Sequence, residues 1–125
     1  VPVLLFVYGT LQPGAEAWHL LAPHTRSTSS TSVAGALWDT GLGYPALTLD
    51  VGGPETVPGV VVELDPGRAA VVLEELDSYE AVHDSCYVRC LVRTADGRTA
   101  WAYDWSGPVS GFRRIRRWPP SVENP

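Results

Sequence analysis

Glu80 completes a helical pattern whose other members are apolar. At about 100° per residue, Ala69, Val72, Leu73 and Leu76 share one face and Glu80 continues their phase. An isolated carboxylate is too costly to bury, so such a group must be neutral, paired or partly solvated. Desolvation raises a carboxyl pKa, which suits an acid/base that takes up and releases a proton near neutrality. A salt bridge to Arg89 or Arg93 would explain the same placement. Glu74 and Glu75 fall outside the stripe and Asp77 at its margin, so these three read as solvated helix charges. The second feature is the run Val3-Leu4-Leu5-Phe6-Val7 breaking into Tyr8-Gly9-Thr10-Leu11-Gln12-Pro13-Gly14. A glycine directly after a buried strand lets the backbone bend and offers main-chain N–H groups to an anion, although an ordinary turn has the same composition.

These residues need elements to hold them. Val3 to Val7 has no polar side and reads as a strand buried on both faces. Ala15 to Ala22 is at most a short helix, stopping before Pro23, and the Ser/Thr run Ser27 to Ser32 favours an irregular link. Val33 to Asp39, Tyr44 to Asp50 and Gly59 to Leu64 are short strand-like pieces, with turn residues between them that suit antiparallel pairing. The small residues of Ala34-Gly35-Ala36 admit a close backbone, and Tyr44-Pro45-Ala46-Leu47 suits an edge, where proline is tolerated. Asp65 as N-cap and Pro66 at the first helical position predict one main helix over Arg68 to Tyr79. Ala95-Asp96-Gly97-Arg98 between Tyr87 to Thr94 and Thr99 to Trp105 predicts a hairpin. Residues 111–125 are basic and proline-rich and read as a coil-like tail.

Composition narrows the chemistry. With 125 residues, 45% hydrophobic and 18% charged, the chain suits one domain with one core. A formal net charge of −5 disfavours nucleic-acid binding in general. No apolar run approaches the ~20 residues needed to span a bilayer as a helix, and the opening run lacks the flanks of a leader, so a cytoplasmic protein is expected. Cys86 and Cys90, four apart in a strand, would lie roughly 13 Å apart, beyond disulfide reach, and read as free thiols. His83 is the only histidine near them, which is too few ligands for zinc. His19 and His24 read as surface or helix-end residues. There is no Walker or dinucleotide fingerprint, no Gly-x-Ser-x-Gly elbow and no zinc-peptidase motif.

Taken in order, Tyr8-Gly9-Thr10-Leu11 with Gly14, Tyr44-Pro45-Ala46, Pro58-Gly59-Val60-Val61, Leu76-Asp77-Ser78-Tyr79-Glu80, Tyr87-Val88-Arg89 and Ala102-Tyr103 resemble the successive blocks of the gamma-glutamylcyclotransferase-like family. The specificity lies in their order and spacing, which cover most of the chain. The resemblance implies an α+β fold, a small mixed β-barrel with one main helix and short additional helical segments. It implies an enzyme of acyltransferase or cyclising-lyase type, without cofactor or metal, acting on a small-molecule γ-glutamyl amine or amino acid. The substrate's α-amine closes a five-membered ring on its own γ-carbonyl and releases 5-oxoproline. By the family's motif Glu80 is the general acid/base and Tyr8, Gly9, Thr10 and Leu11 bind substrate through backbone N–H groups; on a looser strand match Tyr103 contributes a pocket hydroxyl, with Tyr87 or a plain core tyrosine as the alternative. Glycine often follows the family's glutamate, whereas Ala81 stands here, and His83 and Asp84 beyond it are further possible substrate contacts. A non-catalytic binding module on the same fold is the alternative, and a docking role for the arginine-rich tail is a third reading.

Overall fold

A computed structural model of the chain describes residues 2–83 and 85–120, without the side chains of Val82 and His83. Strand β1 (Val3–Val7) is the centre of the sheet. It pairs antiparallel with β4 (Thr56–Leu64), Val3 opposite Leu64 through Val7 opposite Val60, and parallel with β6 (Thr99–Trp105) at Leu5 and Trp101. The full order is β3 (Pro45–Leu49), β2 (Thr25–Asp39), β4, β1, β6, β5 (Tyr87–Arg93), with β7 (Arg113–Ile115) added to β2. The sheet curls until its two ends meet: Leu49 N–H of β3 donates to Asp104 Oδ1 of β6 at 3.3 Å, and the Tyr87 hydroxyl of β5 donates to the Pro45 carbonyl. The result is the expected α+β barrel.

Side-chain alternation along β1 explains why it reads as apolar on both faces. Leu5 and Val7 join Val62, Leu64 and the helix residues Ala69, Val72, Leu73 and Leu76 in one cluster. Phe6 and Tyr8 point the other way, into a second cluster with Leu37, Leu47, Val61 and Ala102 inside the barrel. Leu5 is 0% and Phe6 1% exposed, and burying each such side chain stabilises by roughly 1.5–3 kcal/mol. The strand therefore holds two packed layers together, and the turn that leaves it inherits a rigid base.

The main helix α1 spans Ala69–His83, longer at its C-terminal end than the periodicity predicts, and so keeps Glu80 within regular structure. Asp65 does not cap it directly. Its carboxylate accepts from Gly67 N–H at 3.0 Å, closing a turn that feeds the helix. The hairpin stands as expected, with Gly97 at φ +88° and Thr94 N–H donating to the Arg98 carbonyl at 2.8 Å. The edge position of Pro45 also holds. At Gly35 an added Cβ would lie 2.5 Å from the Thr48 carbonyl oxygen, which is the close backbone approach its small size suggests. Among the described residues Cys86 and Cys90 form no disulfide, as expected.

Two further expectations fail, and a third holds in part. Ser27 to Ser32 is the middle of β2, paired with β4 from Ser27 opposite Glu63 to Ser32 opposite Pro58. Competition from Ser and Thr side chains for backbone groups is overridden there, because the ladder to a buried β-branched strand satisfies more of them. Ala15 to Ala22 holds a short helical segment as expected, but as the 3₁₀ turn Trp18–Leu20, and Pro23 sits inside a second one, Ala22–His24, where its missing N–H is harmless. Part of the supposed coil tail is β7, which places Ile115 opposite Leu37 and Arg114 opposite Trp38. The Arg114 guanidinium lies 5.3 Å from the centre of the Trp38 ring and pairs with Glu55, so this arginine is engaged by the fold.

Candidate functional site

The turn after β1 and the last turns of α1 come together at one cleft. Tyr8, Gly9, Thr10, Leu11, Glu80 and Tyr103 all line it, so the proposed acid, the loop and the tyrosine border the same space. His83 and Asp84 lie outside the described side chains. The cleft is partly open to solvent, with a cavity volume of about 30 Å³.

Each piece is positioned by the core. The base of the turn is fixed by the Tyr8 ring, whose hydroxyl donates to the Tyr103 carbonyl at 2.6 Å and ties β1 to β6. Burial first, and then neighbouring Tyr87 and Glu80, push the Tyr8 pKa well up, so this hydroxyl stays a donor. Gly9 has no room for a side chain: a Cβ there would be 2.7 Å from Pro45 Cγ and 2.9 Å from Pro45 Cδ. The turn thus packs against the barrel end of β3. Gln12 N–H closes it on the Gly9 carbonyl at 3.1 Å, and Ala17 N–H reaches the Thr10 carbonyl at 2.8 Å. Among the described residues the N–H groups of Gly9, Thr10 and Leu11 donate to no acceptor in the chain. Consecutive unengaged backbone donors at a turn are the kind of concavity that binds anions.

Glu80 lies on the helix side of the cleft. Among the described residues its carboxyl has no ion pair or hydrogen bond, and burial alone pushes its pKa from the ordinary 4.5 to about 7. The salt bridge that the sequence allowed does not form, because Arg89 is taken by Asp77. Arg89 Nε and Nη2 donate to the two Asp77 carboxylate oxygens at 2.8 and 3.1 Å, and the guanidinium stacks 4.4 Å from the Trp101 ring centre. Tyr103 completes the group by donating to Asp77 Oδ1 at 2.7 Å. Burial raises the Asp77 pKa, but hydrogen bonds from Arg89 and Tyr103 together outweigh it and hold the carboxyl below its usual value. For Tyr103, burial and the bond to Asp77 drive the pKa up. Its hydroxyl is committed to Asp77 and is a structural donor in this state.

The sequence reading missed two rings of the cleft wall, Tyr44 and Tyr79, and two of its supports, whereas Tyr87 stood as an alternative to Tyr103. Tyr44, Tyr79 and Tyr87 all line the cleft, with Tyr44 and Tyr87 ring centres 6.0 Å apart. Tyr79 is hydrogen-bonded to the Thr10 side chain, joining helix to turn directly, and burial raises its pKa. Its adjacency to Glu80 was a usable signal. Asp77 and Arg89 were legible only as charges, since their pairing depends on β5 passing the helix. Among the described residues no three His, Cys, Asp or Glu side chains gather in a way that would hold a metal.

Comparison with known proteins bears on the family and the fold. Residues 5–119 match the family model described as gamma-glutamyl cyclotransferase, AIG2-like. A gamma-L-glutamyl-butirosin B gamma-glutamyl cyclotransferase from Niallia circulans is 32% identical over 104 residues, covering 79% of this chain and 64% of its own length. Among solved structures, YkqA from Bacillus subtilis superposes with a TM-score of 0.68 at 24% identity, over 92% of this chain and 38% of that one. An AIG2-like protein from Mus musculus superposes with a TM-score of 0.69 at 19% identity, over 94% and 88%. At these identities the two structures speak for the fold, and the chain spans under two thirds of both the curated relative and YkqA. With the family model covering all but the ends, and with a barrel of the same fold around a lone acid and an open turn, the chain belongs to the gamma-glutamyl cyclotransferase, AIG2-like family.

Proposed function

We propose that the protein releases 5-oxoproline from a γ-glutamyl amine or amino acid. The observation that carries this reading is an unpaired carboxyl with a pKa of about 7 in the same cleft as a turn of unengaged backbone N–H groups. The substrate supplies its own nucleophile. Ionised Glu80 takes a proton from the substrate ammonium, and the freed amine attacks the γ-carbonyl to form the five-membered ring. The carbonyl oxygen becomes an oxyanion, which donors from Gly9, Thr10 or Leu11 stabilise as charge develops. Protonated Glu80 then gives its proton to the leaving nitrogen, the C–N bond breaks and the ring carbonyl reforms. The ring nitrogen's second proton passes through Glu80 to the released amine, so Glu80 ends ionised and the products are 5-oxoproline and an ammonium ion. A pKa near neutrality lets one group do both transfers. Holding the chain folded over, with amine and carbonyl in contact, contributes the rest of the rate. The Niallia circulans relative is named for gamma-L-glutamyl-butirosin B, which supports a small-molecule γ-glutamyl substrate here.

The test is 5-oxoproline release from a panel of γ-glutamyl amines and amino acids by wild type and by a folded Glu80→Gln variant. Turnover by wild type and its loss in the variant are expected. Equal turnover by both would remove Glu80 from the mechanism, and tight binding without turnover by wild type would make the protein a binding module.

A further inference from the structure

The turn that lines the cleft is also held from outside, by the segment after β7. Gln12 Nε2 donates to the Gly9 carbonyl at 3.2 Å and to the Trp118 carbonyl at 2.9 Å. The Gln12 backbone N–H donates to the same Gly9 oxygen at 3.1 Å. Trp118 is anchored in turn, packed against the barrel cluster that contains Phe6 and Tyr8.

The Gly9 carbonyl and the Thr10 N–H belong to one planar trans peptide unit and point in opposite directions. Holding the oxygen on the Gln12 side fixes where the hydrogen points. A peptide next to glycine rotates with the least steric resistance, so this direction needs an external restraint. Two donors on one carbonyl also polarise the unit and strengthen its N–H as a donor. Gly9 and Thr10 both line the cleft, and among the described residues the Thr10 N–H has no acceptor.

We propose that Gln12 is a positioning residue, anchored on the Trp118 carbonyl, that aims the Thr10 N–H at the oxyanion formed on the substrate's γ-carbonyl. This rests on the cyclotransferase reading above. It also gives the C-terminal segment a place in the site, in contrast to a tail whose removal would leave pocket activity intact.

Gln12→Leu keeps the bulk and removes the donor, and Gln12→Lys restores a donor of sufficient length. With a γ-glutamyl alkylamide as substrate, Gln12→Leu should lower kcat about 10- to 100-fold, less than or equal to the loss of a whole oxyanion donor, with KM changed less than about threefold. Gln12→Lys should recover most of the loss. Unchanged kcat in Gln12→Leu, a loss that vanishes on cooling because it tracks the unfolded fraction, or a Lys variant no better than Leu would each overturn the proposal while leaving the reaction standing. Absence of turnover in wild type would instead overturn the cyclotransferase reading. The backbone order parameter at Thr10, measured by NMR in wild type and Gln12→Leu, then decides the positioning role by itself. A fall from about 0.85 toward 0.6 supports it, and no change sinks it.

Discussion

Asp77 and Glu80 sit three residues apart on the same helix and end in opposite electrostatic states. Asp77 points to β5 and β6, where Arg89 and Tyr103 neutralise and saturate its carboxylate, and its pKa falls. Glu80 points to the cleft, meets no partner among the described residues, and its pKa rises to about 7. Burial pushes both carboxyls up, far more strongly at Glu80, and the hydrogen bonds from Arg89 and Tyr103 turn the shift at Asp77 downward. Had Arg89 reached the cleft, Glu80 would be an ion pair and a poor proton carrier. The pairing at Asp77 therefore does two things, fixing the helix end against the sheet and keeping the cation away from the cleft carboxyl.

The largest effect that tests this contrast is on turnover. Glu80→Gln should reduce kcat for 5-oxoproline release about 10³-fold, within the range for loss of a general acid/base, whereas Asp77→Asn should keep most of the activity. Comparable losses in both variants would show that the two acids act as one unit.

The next effect is on stability and has the opposite sign. A carboxyl whose folded pKa lies above its unfolded one costs stability as pH rises from about 4.5, and fully above about 7, where the folded state must hold the charge. The shift corresponds to roughly 3 kcal/mol at most. Glu80→Gln should therefore be more stable than wild type by about 2–3 kcal/mol in urea unfolding at pH 8, with the gain vanishing toward pH 4. No gain at pH 8 would mean that Glu80 is solvated or paired in solution.

Asp77→Asn should show the reverse trend, smaller in size. The pair is half-exposed, which limits its worth to about 1 kcal/mol after solvent screening. Because its folded pKa is lowered, that stabilisation is present above the unfolded value of 3.8 and disappears as pH falls through the folded one. A difference between wild type and variant that grows below pH 4 would contradict the assignment. The smallest change expected is in Arg89→Lys. It keeps a positive charge but loses the two-pronged bond and the stacking on Trp101, costing less than about 1 kcal/mol and leaving the Glu80 titration in place. An altered pH–rate profile in this variant would show that the guanidinium plane, and not only its charge, shields the cleft.

The outcome at individual residues shows which inferences travel from sequence to fold. β1, the hairpin at Gly97 and the buried face of α1 follow from neighbours in the chain, through alternation, turn chemistry and helical phase, so they were legible. Glu80 was singled out by the same phase argument, and Gly9 by its place directly after a buried strand. The Ser/Thr run was misread because its conformation is decided by β4, a strand about 30 residues away. Arg113 to Ile115 was misread for a like reason, since β2 supplies its ladder. Arg89 was considered as a partner for Glu80, and only the path of β5 past the helix assigns it to Asp77.

What the sequence by itself determined is therefore the set of local devices: an apolar strand, an open glycine turn, a helix with an acid on its buried side, and a block order that resembles one family. These depend on steric and periodic rules acting within a few residues. Only the tertiary structure decided that turn and acid border one cleft, that Asp77 takes the arginine, and that Trp118 holds Gln12 behind the turn. Those are contacts between segments far apart in the chain, and their energies exist only once the barrel has brought them within hydrogen-bonding distance.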